Sequence, residues 1–223
     1  MKSQDDDEKL LEGQINNIFR SVTTKRIYRS GILQVQRLLK RAELKPNAKI
    51  LYQLGFLSDH VAFFQEKNPV IQRTYEQQAL AYYRRALQIH PNDPFSLWGI
   101  GRVWWHRKDR RALSYAKKAY RLAKLAKIDF GPFAQHIGFI YEEIFKKYSL
   151  AERWYLRALR EERKRTVWSY ANLIMFYKKV GKNPQAWRLA KKMNYFFQKT
   201  SPEFQSSHSG KRLSKIISGV LKK

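Results

Sequence analysis

The run QQALAYYRRALQIHPN, from Gln77 to Asn92, constrains the fold more than any other stretch of the chain. Ala79, Tyr83 and Ala86 stand at i, i+4 and i+7. On a helix they form one stripe of a small residue, a ring and a second small residue, which admits a neighbouring helix at close range. Ile89 extends the apolar face. Pro91 with Asn92 then closes the helix, because proline disfavours helical backbone in the residue before it and cannot extend the hydrogen-bond ladder. Such a stripe needs a second helix to cover it.

The stripe returns as Ala112, Ala116 and Ala119 in ALSYAKKAYRL, as Ala151, Tyr155 and Ala158 in AERWYLRALRE, and as Ala186, Ala190 and Met193 in AWRLAKKMNYF. The leading alanines lie 33, 39 and 35 residues apart. An apolar helix precedes each stripe, and Leu54-Gly55, Ile100-Gly101 and Ile137-Gly138 mark three of these leading helices. Glycine is costly inside a helix unless its missing side chain lets another element come close, so its recurrence predicts tightly packed helix pairs. A helix pair repeated about every 34 residues is the signature of an all-α stacked array.

In these residues the chain resembles the tetratricopeptide repeat family. The matching positions are Leu54, Gly55, Ala79, Tyr83, Ala86 and Pro91; then Ile100, Gly101, Trp104, Ala112 and Ala119; then Ile137, Gly138, Tyr141, Ala151, Tyr155 and Ala158; then Leu173, Tyr177, Gly181 and Ala186. The resemblance covers about residues 48–199. It implies an all-α, right-handed superhelix of antiparallel helix pairs whose leading helices line a concave groove. Departures are an insertion from Asp59 to Thr74, Ile174 where the family prefers glycine, and a Pro-Asn ending in the first clear unit alone.

Outside the array, residues 1–9 hold Asp5, Asp6, Asp7 and Glu8 and read as a loose acidic tail. Residues 10–47 read as a degenerate helix pair, with Leu11, Ile15, Ile18 and Phe19 on one helix and Ile32, Val35, Leu38 and Leu39 on the next; the link between them, Ser21 to Gly31, is compatible with helix as well. Within the insertion, Val61, Phe63 and Phe64 suggest a lengthened leading helix that stops before Pro69. Residues 200–210, rich in Ser, Gly and Pro, read as a linker. Residues 211–223 place Leu213, Ile216, Ile217, Val220 and Leu221 on one face. That helix either caps the last pair or lies on an anionic membrane, and capping is favoured because it carries no Trp or Phe anchor.

The chain has 223 residues, 45 Lys and Arg against 18 Asp and Glu, a formal net charge of +27 and no cysteine. Disulfides, thiolate metal sites and thiol catalysis are therefore excluded, and a soluble, cytoplasmic setting is favoured by the lack of any membrane-length apolar run or secretory leader. The charge is uneven: from Arg163 onward fifteen basic residues face Glu203 alone. Such a field attracts polyanions.

Catalytic constellations are missing. The five histidines, His60, His90, His106, His136 and His208, show no metal-ligand spacing, and no phosphate loop, dinucleotide fingerprint or nucleophile elbow occurs. Glu142 and Glu143 point about 100° apart on a helix and make no acid–base pair. The expectation is a chain that is no enzyme and takes no cofactor and no metal.

Surface remains. The resemblance puts Tyr52, Phe56 and Asp59, then Phe95, Trp98, Arg102, Trp105 and His106, then Gln135, Phe139 and Glu142, then Trp168, Ala171, Met175 and Lys178 on the inward face. This mix of aromatics, Met and a few charges suits a protein interface, although each ring could equally fill space between pairs. Tyr52, Phe56 and Gln135 argue against the carboxylate clamp that some relatives carry. On the trailing helices Arg84, Arg85, Lys117, Lys118, Arg153, Arg157, Lys191 and Lys192 recur at equivalent places and would form a basic ladder on the convex side, with no stacking aromatics evident among them. The leading expectation is a non-enzymatic adaptor that holds a peptide or helix of an acidic protein partner. The alternative is an RNA- or ribosome-associated protein.

Overall fold

Every helix start in this chain needs its first backbone N–H groups satisfied, and side chains at the starts do so repeatedly. Asn47 accepts from the Ile50 N–H at 3.0 Å. Asn68 accepts from Val70 at 2.9 Å, Asp93 from Ser96 at 2.8 Å and Ser201 from Phe204 at 3.3 Å. In the last three the next residue is proline, whose fixed φ and absent N–H suit the first helical position. Asn68-Pro69 thus opens a helix.

The computed structural model describes residues 4–41, 45–129, 131–161 and 167–221. They form α1 (Gln4–Lys25), α2 (Tyr28–Arg41), α3 (Ala48–His60), α4 (Pro69–Ile89), α5 (Pro94–His106), α6 (Arg111–Leu125), α7 (Gly131–Glu143), α8 (Tyr148–Glu161), α9 (Val167–Lys179), α10 (Asn183–Gln198), α11 (Pro202–Ser206) and α12 (His208–Leu221). A π-helical turn, Val61–Gln65, prolongs α3. No strand occurs among the described residues. Helices α3 and α4, α7 and α8, and α9 and α10 pack on each other through short connections, which makes them antiparallel pairs.

Two compact units divide the chain, Met1–Leu122 and Ala123–Lys223. In the first, Leu11, Ile15, Val22, Ile32 and Val35 of α1 and α2 pack against Ile50, Leu54 and Leu57 of α3. In the second, α12 lies on α9 and α10 with Leu213, Ile217 and Val220 buried. Protein therefore covers most of its apolar face, while Ile216 and Leu221 are half-buried. Among the described residues no helix is long and apolar enough to cross one.

The tyrosines and glycines of the stripes interlock. Tyr83 is fully buried on α4; a Cβ added at Gly55 of α3 would lie 2.7 Å from its ring, and one at Gly99 of α5 would lie 2.3 Å from it. Gly138 of α7 meets the Tyr155 ring of α8 the same way, at 2.7 Å. Gly101 differs: a Cβ there would meet the α6 backbone at Ala112 and Ala116 at 3.4–3.5 Å, since Ala116 stands where the other stripes carry a ring. In the last pair the bulk changes sides. Ile174 replaces the glycine, Ala190 replaces the tyrosine, and both are fully buried. Volume is roughly conserved across the interface, which explains the departure at Ile174.

Two features differ from the sequence expectations, the start of α1 and the segment 200–210, and the link from Ser21 is helical as far as Lys25. Helix α1 starts at Gln4, so the backbone of Asp5 to Glu8 is helical. It runs to Lys25 and breaks at Arg26, which takes a left-handed φ of 58°. The segment 200–210 holds α11 and the first turn of α12, because Ser201 caps a helix there.

Candidate interaction surfaces

In the first unit several residues expected on the inward face gather around a buried ion pair, of which Asp59 is itself one and is not displayed. Asp59, in the last turn of α3, is fully buried, and the Arg102 guanidinium of α5 reaches its Oδ2 at 2.9 Å. Neither carboxylate oxygen has an aligned hydrogen bond. Burial therefore outweighs the arginine and pushes the Asp59 carboxyl up to about 6.

Aromatic side chains close over this pair. The guanidinium lies 5.3 Å from the Phe56 ring and 5.4 Å from Trp98. His60 stacks on Phe56 at 3.8 Å and donates from Nδ1 to the Phe56 carbonyl at 2.8 Å. Its Nε2 is then the acceptor for Arg102 at 3.4 Å. His106 stacks on Phe63 of the π-helical turn at 3.9 Å and touches Trp105 at 4.6 Å. Burial, followed by Arg102, holds both histidines neutral with pKa values lowered to about 3. Phe64 stands 63% exposed at the edge, 5.2 Å from His60.

Phe56, Trp98, Arg102, Trp105 and His106 are thus brought together, each half-buried. His60, Phe63 and Phe64 join them, although the sequence reading assigns them no binding role; the signal is their place one turn beyond the inward residues of α3. The histidines meet without forming a metal set, and no group of three His, Asp or Glu able to hold a metal occurs among the described residues.

Tyr52 extends that cluster, its ring 6.3 Å from Phe56, and carries it to Phe95. The Tyr52 and Phe95 rings are 5.6 Å from each other and wall an open cleft of about 740 Å³, together with Glu12, Lys49, His90 and Asp93. Burial raises the Tyr52 hydroxyl far above its ordinary pKa.

In the second unit the expected inward residues separate into different roles. Gln135 and Phe139 are half-buried on α7, and Phe139 meets the Tyr155 ring edge-on at 5.5 Å. Glu142 is a correction. It is buried, accepts from the Tyr155 hydroxyl at 2.5 Å and pairs with Lys179 at 2.7 Å, so its carboxylate joins helices and is not displayed. The same contact, after burial, drives the Tyr155 hydroxyl pKa upward. Ala171 is fully buried, and Met175 is 45% exposed. Exposed Lys178 donates to the Gly219 carbonyl of α12 at 3.3 Å. The side chain of Trp168 lies outside the described residues.

The basic residues of the trailing helices reach solvent. Arg84, Arg85, Lys117, Lys118, Arg153, Lys191 and Lys192 are exposed, while Arg157 is half-buried and pairs with Glu161 at 3.2 Å. Aromatics do interleave with them, contrary to the sequence reading. Arg157 lies 5.2 Å from the Trp154 ring and Lys191 3.8 Å from the Trp187 ring. Both pairs use i+3 or i+4 spacing across an exposed face, which the search for an apolar stripe passes over.

Comparison with solved structures decides the fold. A thermophilic TPR protein of Thermus thermophilus superimposes with a TM-score of 0.66 at 16% identity, covering 94% of this chain and all of that one. This is a tetratricopeptide-repeat fold. A double mutant of MamA RS-1 is similar over 84% of this chain and 98% of its own, with a TM-score of 0.53 and 16% identity. No protein-family model and no curated protein matches the sequence.

Proposed function

We propose that the chain is a non-enzymatic adaptor that holds a segment of a partner protein against the aromatic face of its first unit. The observation that carries this reading is the cluster in which Phe56 and Trp98 flank Arg102, Phe64 and Trp105 join through His60 and His106, and Asp59 holds the guanidinium from below. Half-buried aromatics on rigid helices lose little conformational freedom when a partner covers them, and rings with arginine dominate interface energies. The net charge of +27 favours an acidic partner and speeds the encounter with it. The similar solved structures have the fold of protein-interaction scaffolds, in keeping with this role.

The test is partner capture from an extract of the native source with Trp98→Ala combined with Trp105→Ala. The adaptor reading expects the captured proteins to disappear while far-ultraviolet circular dichroism is unchanged. Undiminished capture removes this face from consideration.

A further inference from the structure

We propose that α10 and the cleft beside it bind single-stranded nucleic acid, separately from the aromatic face of the first unit. Trp187, Lys191, Tyr195 and Lys199 follow one another at intervals of four, so they share one face of α10 and its end. Trp187 is 41% exposed and Tyr195 58% exposed, which is unusual for large rings that could have been buried. The Lys191 ammonium lies 3.8 Å from the Trp187 ring centre. Lys199 lies 4.2 Å from the Tyr195 ring and donates to its hydroxyl at 2.6 Å. The Trp187 ring therefore has a cation over one face and the Tyr195 ring has one at its hydroxyl edge, and both rings leave a large part of their surface to solvent.

A cleft of about 510 Å³ adjoins the first ring, lined by Lys178, Asn183, Trp187, Arg188 and Val220 among others. It offers a flat apolar wall, an amide that both donates and accepts, and two cations at its rim. No acidic residue occurs in α10 or in the described lining, and Glu203 alone opposes fifteen basic residues from Arg163 to the end. This is the chemistry of a stacking platform in a positive field, where bases lie on rings and phosphates on lysines. A duplex hides its base faces, so the platform serves unpaired strands. An acidic peptide would satisfy the lysines but leave the rings without a stacking partner.

The experiment is fluorescence anisotropy with a labelled unstructured RNA, a DNA strand of the same sequence and the corresponding duplex, at low and near-physiological salt. Either single strand should bind more tightly than the duplex. Trp187→Ala with Tyr195→Ala keeps the charge and, because both rings are exposed, the fold; it should weaken single-strand binding about tenfold or more. Lys191→Gln with Lys199→Gln should lower the salt slope by about 1.4, two ions' worth. Trp98→Ala with Trp105→Ala should leave strand binding unchanged, which separates this site from the adaptor face. The proposal is overturned if the ring variant binds as wild type does, if the duplex binds as well as the single strands, or if an acidic synthetic peptide outcompetes RNA for wild type but not for the lysine variant.

Discussion

Adding one methyl group at Gly99 tests how the repeats are held together. The new Cβ would lie 2.3, 2.4 and 2.7 Å from Cζ, Cε1 and Cε2 of Tyr83. Those distances are far inside contact, and the ring cannot yield, because it is fully buried and also lies against Gly55. Overpacking of this kind costs about 1–3 kcal/mol, and a pinned ring places it at the upper end. Alanine's better helix propensity returns about 1 kcal/mol. Gly99→Ala should therefore destabilise the protein by about 2 kcal/mol, lowering the thermal midpoint by about 4–8 °C. Tyr83→Leu removes the three clashing atoms. In that background the clash term vanishes, so Gly99→Ala should stabilise by up to about 1 kcal/mol. Urea denaturation of the four proteins, followed by circular dichroism, measures the coupling directly. A neutral or stabilising Gly99→Ala in the wild-type background, or the same effect in both backgrounds, refutes the interlock.

Two further outcomes follow from the ion pair and from the turns. Arg102→Ala removes the cation that holds Asp59 down, so the folded pKa rises above about 6 while the unfolded value stays near 3.8. A raised folded pKa gives stability that is complete below the unfolded value and lost as pH climbs through the folded one. The substitution should cost about 3–5 kcal/mol at pH 8, where a buried charge is left unpaired, and much less at pH 5; equal losses in urea at both pH values contradict it. Lys108 and Lys146 take left-handed φ of 56° and 54° between paired helices, where the last pair has Gly181 at 76°. Lys146→Gly should gain about 1 kcal/mol and raise the thermal midpoint by about 2–4 °C; an unchanged or lower midpoint contradicts it.

How much of this is legible from residues alone differs between core and surface. The Ala-Tyr-Ala stripes and their glycines foretell the helix pairs, because close approach demands small residues at fixed spacing. The stripes do not show that Gly99 also meets Tyr83, since that contact joins one pair to the next. They do not show why Gly101 faces the α6 backbone and the Tyr115 Cβ instead of a ring, or why Ile174 is tolerated; both depend on the alanines, Ala116 and Ala190, that take the place of a tyrosine. Glu142 reads as displayed because its position is inward by register, yet Tyr155 and Lys179 enclose it. The stack of His106 on Phe63 relies on the π-helical turn, which brings Phe63 and Phe64 onto α5 and leaves no periodic trace. The aromatic and lysine alternation on α10 is present in the sequence but lies on the exposed face, where an apolar search does not look.

The central claim, that the first unit recognises a protein through its aromatic face, is tested most directly by a photo-crosslinking residue placed at Phe64. That side chain is exposed at the rim of the cluster, so the probe needs no repacking. In native extract the account predicts discrete protein adducts at this position that vanish when Trp98→Ala and Trp105→Ala are added. The same probe at exposed Gln78 on α4 should give none. Equal adducts at both positions, or adducts that survive loss of the two tryptophans, would contradict it.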